Sequence, residues 1–328
     1  MSVPTGGIRA YAPGGIGNLG PGLDVLGCAL TGAGDEVHVW WTDEPGVTVV
    51  DAGHPELPTD PALNACAIAA RWVLQRAVGI DDGGAPGVFA GRGIALHTYK
   101  GLPLSAGQGG SSASAVAAAV AANQLVVAAG GDALDRIGLL HAALAAETAV
   151  AGRHLDNIAA SFLGGVTCVR SVDPPDVSSV PVAADLWFAL AHPAIRVRTA
   201  DARAVLPQWY PRETLVAQLA SVASLVTALC TGNHALIGRS LTDYVAEPPR
   251  AQLVPGFAQA KLAAIDAGAL GASLSGSGPT TFAVCSSEIV AIAAGEAMRW
   301  AFEAAGHACG TRVAQIDFAG ARWAPVLP

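Results

Sequence analysis

Charged residues are scarce in this chain: Asp, Glu, Lys and Arg make up 13% of 328 residues, against 52% apolar. That balance excludes an intrinsically disordered chain, which needs high charge and few apolar groups. Positive charge is the scarcer sign, with 18 Lys and Arg against 26 Asp and Glu and a net charge of −8. No basic run occurs, and aromatics reach only 5%, without basic–aromatic interleaving. Nucleic acid is thereby excluded as a partner. The six cysteines, at 28, 66, 168, 230, 285 and 309, form no C-x-x-C pair. In a chain of this length they read as reduced core thiols, and the expected compartment is the cytoplasm. No run of about 18 truly apolar residues is visible, so the sequence predicts no membrane span. The first 13 residues lack the basic start and apolar block of a signal peptide.

What is present is enough chain for one large or two ordinary domains. Glu36–Trp41 and Val47–Val50 alternate as strands of an antiparallel arrangement, and Pro61–Val78 has helical spacing. Gly93–Tyr99 reads as a strand leading into a helix over about 111–128, with a further helix over Leu134–Ala149. Phe162–Val172 and Leu186–His192 read as strands, and Leu215–Thr231, Ala235–Val245 and Ala258–Ala267 as helices. Leu270–Ser275 and Thr281–Cys285 read as extended. Strands and helices interleave irregularly, which predicts an α+β fold. The softest boundary lies near 165–180, where Gly164-Gly165 and Pro174-Pro175 cluster, and it divides the chain into 1–165 and 166–328.

The densest signal is Gly101-Leu-Pro-Leu-Ser-Ala-Gly-Gln-Gly-Gly-Ser-Ser-Ala-Ser114, running into an alanine-rich helix. Pro103, Gly107, Gly109 and Gly110 forbid regular structure and let backbone approach a ligand closely. A glycine loop opening onto a helix N-terminus presents unpaired N–H groups and partial positive charge, a ready anion site. The bland reading is a simple turn. A Walker A loop is excluded, because no Gly-Lys-Ser/Thr follows. A complete G-x-G-x-x-G stands earlier at Gly15, Gly17 and Gly20, with Asp35 twenty residues past its first glycine. Pro21, Gly22, Gly27, Gly32 and Gly34 break up what should be its helix, so it reads as a decoy for a nicotinamide site.

Three separated segments resemble one family. Pro13-Gly-Gly-Ile-Gly-Asn-Leu-Gly-Pro-Gly-Leu-Asp24 is similar to the first motif of the small-molecule kinases that act on galactose, homoserine, mevalonate and phosphomevalonate. The loop at 101–114 resembles their phosphate-binding motif, and Leu274-Ser-Gly-Ser-Gly-Pro-Thr-Thr-Phe282 their C-terminal glycine turn. The homoserine branch resembles the chain most, through Asn18–Gly27, His154-Leu-Asp-Asn157 with Phe162–Gly165, Thr199–Pro207, and Glu247-Pro-Pro-Arg250 with Pro255-Gly-Phe257. Departures are Gln108 and Gly110, where leucine and the first serine are usual, Leu23 in place of an aromatic, and a Glu147–Asn157 spacing one residue short.

The resemblance implies a two-domain kinase fold, ATP, Mg²⁺, a small-molecule substrate and a homodimer. It implies that Asn64, Lys100, Pro103, Leu104, Ser105, Ala106, Gly107, Gln108, Gly109, Gly110, Ser111, Ser112 and Ala113 bind ATP, and that Ser111 and Glu147 hold the metal. Glu147 is a lone charge among Ala142, Ala143, Ala145, Ala146 and Ala149, which points to a cleft rather than an ordinary exposed carboxylate. For L-homoserine, a zwitterion with a terminal hydroxyl, Arg203 and Arg250 suit the carboxylate and Asp24 the ammonium. Asn18, His154, Asn157 and Thr199 would hydrogen-bond the remaining polar atoms. Asp24, Glu147 and Asn157 are the expected catalytic set, with Asp156 the counterpart of the aspartate base of mevalonate-type relatives. Three other readings stand beside this one: a sibling small-alcohol kinase, a non-catalytic small-molecule binder, and a nicotinamide enzyme.

Overall fold

The computed structural model describes residues 6–77 and 91–326. Its first sheet begins with β1 (Ile8–Gly17), β2 (Leu26–Thr42), β3 (Gly46–Asp51) and β4 (Gly93–Tyr99). It adds β5 (Val166–Val172), β6 (Pro175–Val180) and, from the far end of the chain, β11 (Arg322–Pro325). The order is β11-β1-β2-β4-β3, with β5 on β2 and β6 on β5. β1 and β2 are antiparallel, as predicted, and shift register between Pro13 and Gly15. Proline cannot donate to a ladder, which favours an irregularity there. β3 corrects the all-antiparallel expectation for residues 8–50, because it runs parallel to β4. A parallel pair needs a crossover, and α1 (Ala65–Ala77) lies on it.

Helices α2 (Gly110–Ala128), α3 (Arg136–Val150) and α4 (Asp156–Leu163) pack with α1 around the first sheet. Ala113, Ala115, Ala117, Ala118, Ala121 and Ala122 of α2 are wholly buried. Methyl side chains let one helix be surrounded by its neighbours without voids. α2 and α6 (Arg212–Thr231) are both long and apolar enough, by length and composition, to cross a membrane. In α2 that window is 78% buried inside the protein; in α6 it is 28% buried.

The second sheet holds β7 (Trp187–Pro193), β8 (Gly271–Leu274), β9 (Thr281–Cys285) and β10 (Cys309–Gln315), antiparallel in the order β10-β7-β9-β8. Around it lie α5 (Thr199–Ala204), α6, α7 (His234–Ser240), α8 (Glu247–Ala251), α9 (Phe257–Asp266) and α10 (Glu288–Ala304). The fold is α+β, as the sequence predicts. The predicted strand Phe162–Val172 starts only at Val166; Gly164 and Gly165, with φ 73 and 71, end α4 before it. The predicted helix Ala235–Val245 stops at Ser240. Asp243 then accepts the N–H groups of Val245 and Ala246 at 2.9 Å and of Glu247 at 3.0 Å, which starts α8 instead. Gly164-Gly165 precedes β5 and Pro174-Pro175 turns it into β6, so both pairs belong to a β5–β6 hairpin of the first sheet.

Candidate active site

The three glycine motifs lock together through backbone carbonyls. Gln108 O accepts from Gly15 N at 3.1 Å, Ala106 O from Thr280 N at 3.2 Å, and Gly17 O from Gly276 N at 3.1 Å. Gly107 O accepts from the Ser275 hydroxyl at 2.7 Å. Among the described residues no hydrogen bond uses the N–H groups of residues 107–112. They stand free at the N-terminus of α2, the arrangement that binds phosphate. Gly107 and Gly109 have φ +74 and +69, which favours glycine at both. A Cβ on Gly107 would sit 2.3 Å from Ser275 O, and one on Gly109 2.8 Å from Asn157 Oδ1. Gly17 closes on the same asparagine: its Cβ would lie 2.5 Å from Asn157 Nδ2.

Asp35 anchors the loop from behind. It is wholly buried and accepts from Gly101 N at 3.1 Å, Leu102 N at 3.2 Å and Ser114 Oγ at 2.6 Å. It also pairs with Lys100, whose Nζ donates to Gly110 O at 3.3 Å and Ser114 Oγ at 3.0 Å. The acid that mimics a ribose ligand in the sequence is therefore a structural clamp. The Gly15–Gly20 stretch ends a strand and opens no helix.

Two buried carboxylates face the loop. Ser111 Oγ donates to Glu147 Oε1 at 3.2 Å. His154 Nδ1 lies 4.0 Å from Glu147 Oε1 and 3.6 Å from Asp156 Oδ1. Burial pushes both carboxyls up from their ordinary range, and His154 opposes the shift in each. Glu147 Oε2, Asp156 Oδ1 and His154 Nε2 are buried without a hydrogen-bond partner. Desolvated negative charge of this kind calls for a cation. Among the described residues no group of three His, Cys, Asp or Glu side chains could cage a metal. One carboxylate and one hydroxyl beside a phosphate site are the sparse protein donors Mg²⁺ takes, so the residues present fit that ion.

On the opposite wall Asp24 and Arg203 pair with each other, Nη2 to Oδ1 at 2.7 Å and Nη1 to Oδ2 at 3.1 Å. Both side chains remain partly exposed, at 40% and 36%. Asn18 Oδ1 accepts Asp24 N at 3.3 Å, and Asn18 N donates to Asp156 Oδ2 at 3.1 Å. Asn18 and Asp24 both have positive φ, 67 and 59, a strain that marks functional loops. Thr199 opens α5, which carries Arg203 in its last turn. Arg250 spends two donors on backbone, Nε to Ala202 O at 3.1 Å and Nη1 to Gly276 O at 2.9 Å.

These groups bound one cavity of about 390 Å³. Its wall includes Asn18, Asp24, Asn64, Lys100, Pro103, Leu104, Ser105, Ala106, Gly107, Gly109, Gly110, Ser111, Glu147, His154, Asp156, Asn157, Thr199, Arg203 and Arg250. Gln108, Ser112 and Ala113 are buried and lie off that wall. Asn64 also caps α1, accepting from Ala67 N at 3.1 Å and donating to Pro58 O at 2.8 Å. The sequence reading missed Ser114, Arg196, Gly276 and Ser277 as lining residues. The third motif, already legible, held the signal for the last two.

A model of the GHMP kinases N terminal domain matches residues 65–165, and one of the GHMP kinases C terminal domain matches residues 225–304. The chain is 40% identical over 305 residues to a homoserine kinase of Chlorobium phaeobacteroides, covering 90% of this chain and 92% of the relative. It is 37% identical over 326 residues to a homoserine kinase of Arabidopsis thaliana, covering 96% and 84%. The crystal structure of homoserine kinase from Cytophaga hutchinsonii superposes with a TM-score of 0.87 at 36% identity, covering 99% of both chains. L. major mevalonate kinase in complex with R-mevalonate shares the fold, with a TM-score of 0.69 at 16% identity over 96% of this chain and 98% of that one. With its phosphate loop, carboxylates and two-domain matches in one order, the chain belongs to the GHMP kinase family, among homoserine kinases 36 to 40% identical to it.

Proposed function

We propose that the protein transfers the γ-phosphoryl group of ATP to the hydroxyl of L-homoserine, giving ADP and O-phospho-L-homoserine for threonine synthesis. The observation that carries this reading is the Asp24–Arg203 pair, set in the same cavity as the free loop N–H groups. A zwitterion exchanges with such a pair at no net cost in charge: its ammonium replaces the guanidinium at Asp24 and its carboxylate takes the fork of Arg203. Arg250 adds charge beside that carboxylate, while Asn18, His154 and Thr199 hold the remaining polar atoms. Lys100, Asn64 and the loop from Pro103 to Ser111, with the free backbone N–H groups of residues 107–112, hold the nucleotide.

Phosphoryl transfer needs alignment and charge neutralisation more than covalent help. Asn157, packed between Gly17 and Gly109, would orient the substrate hydroxyl toward the phosphate. Asp156 has one oxygen engaged by Asn18 N and Asn157 Nδ2, and its other oxygen is buried. A positioning role for that carboxyl fits these contacts better than proton abstraction, leaving the phosphate to take the proton. Ser111 and Glu147 would hold Mg²⁺, which supplies charge neutralisation at the phosphates.

We infer the same division of labour along the chain, with 1–165 carrying the ATP site and 166–328 completing the substrate site. The family resemblance supports a homodimer, and six free cysteines suit the reducing cytoplasm. A coupled ADP-release assay across L-homoserine, mevalonate, galactose and other small alcohols tests the assignment. Turnover led by any other alcohol overturns the substrate; none with any alcohol leaves a binder. Sedimentation at micromolar concentration tests the dimer.

A further inference from the structure

Gln108 stands where the resembled phosphate-binding motif usually has leucine, and its side chain lies on the reverse of the loop, away from the cavity wall. There Oε1 accepts two donors of Arg312, Nε at 3.3 Å and Nη2 at 3.1 Å. Nε2 donates to Thr280 Oγ1 at 3.2 Å, and the Thr280 N–H holds Ala106 O. Arg312 comes from β10 of the second sheet and donates its Nη1 to Thr31 O of β2 at 2.9 Å. Every one of these partners is uncharged. Among the described residues no carboxylate comes within 4.0 Å of this guanidinium, although burial disfavours its charge. A half-buried cation held by neutral acceptors costs desolvation that packing alone does not offset.

We propose that Arg312 is a positioning residue of the phosphate loop, acting through Gln108, and that this pair sets the affinity for the nucleotide's phosphates. This rests on the kinase reading above. The two-donor contact restrains the Gln108 side chain, while the Gly15 N–H holds the carbonyl of the same residue. With those restraints the N–H groups from Gly107 to Gly110 keep a fixed aim, and the guanidinium adds positive potential behind them. Gln108→Leu, although it restores the usual loop residue, strips Arg312 Nε and Nη2 of their acceptor, leaving only Thr31 O for Nη1, and is expected to harm ATP binding.

The test is calorimetric titration of ATP with Mg²⁺ into the full chain, without homoserine, for the native protein, Gln108→Leu, Arg312→Met and the double variant. Each single change is expected to weaken the Kd for ATP about tenfold, equivalent to about 1.4 kcal/mol. The double variant is expected to be no weaker than the worse single one, because the two side chains act as a unit. The KM for homoserine should stay within twofold. Arg312→Lys, which keeps the charge and loses the fork, carries the test if Arg312→Met does not fold, with the same weakening expected. A Kd within twofold of native in the folded single variants overturns the proposal, and so do losses that multiply in the double variant. If the substrate assignment fails instead, homoserine is not phosphorylated while ATP still binds and these differences persist.

Discussion

Glu147→Gln isolates charge from shape at the proposed metal site. The amide oxygen still accepts from Ser111 Oγ, now 3.2 Å from Oε1, so the local hydrogen bond survives. What disappears is one negative charge in a site 3% exposed, where water cannot replace it. Removing one preorganised charge from a transferring phosphoryl group lowers kcat on the order of 10²–10³, about 2.7–4 kcal/mol. The near-complete burial places the expected loss at the upper end. Stability should move the other way. Burial raises the folded carboxyl above its unfolded value, and Asp156 adds to the rise. The folded state therefore holds that proton more tightly, and the native protein loses stability as pH climbs from the ordinary glutamate range through the raised folded value. Glutamine does not titrate, so in Mg²⁺-free buffer the melting temperature of the variant should gain on the native one as pH rises through that window. Below it the margin should vanish. Added Mg²⁺ should raise the native melting temperature and leave the variant's unchanged. Coupled ADP release at saturating Mg²⁺ and homoserine, with melting curves across pH, measures all of this. A kcat within threefold of native, or a melting margin indifferent to pH, refutes the reasoning.

Arg203→Ala removes the carboxylate fork and should raise KM for L-homoserine by roughly 10- to 150-fold, from about 1.5–3 kcal/mol per charged hydrogen bond, with KM for ATP little changed. An unchanged KM for homoserine would remove the arginine from the substrate site. Mevalonate has a carboxylate and a primary hydroxyl but no ammonium for Asp24, so steady-state assays should find it a poor substrate; robust phosphorylation sinks the homoserine assignment. Gly109→Val should raise KM for ATP steeply, because its φ of +69 and a Cβ 2.8 Å from Asn157 Oδ1 leave no room for a branched side chain. Gly110→Ser should be tolerated, since a Cβ there meets nothing closer than Lys100 Nζ at 3.5 Å; equal effects of the two changes on KM would refute the loop geometry.

Local chemistry was legible without a structure. The strand Gly93–Tyr99 lies where the sequence puts it, and the alanine run belongs to a helix that starts at Gly110. Three glycine motifs in order identified the site, because glycine spacing is a local requirement of tight turns and close ligand approach. α4 had no counterpart in the sequence reading, and its last residues, Phe162 and Leu163, were assigned to the strand that follows; eight residues carry no period long enough to separate strand from helix. α8 was invisible because Pro248 and Pro249 read as breakers, yet prolines are compatible with a first helical turn. α10 was legible and overlooked, with Ser287 capping it and Ala291, Ala294, Met298 and Phe302 repeating at helical spacing.

The sequence by itself determined the loop, the carboxylates and the family, since each is a matter of residue type at short spacing. Only the tertiary structure decided who meets whom. Asp24 and Arg203, read as separate ligands of opposite substrate charges, pair across 179 positions. Gln108, read as a nucleotide contact, turns its side chain to Arg312, 204 positions away. Asp35, read as a decoy, proves to be the buried clamp of the phosphate loop. Periodicity and turn chemistry act over a few residues, whereas these contacts exist only once both sheets and their helices are packed, and no pattern within either segment encodes its partner.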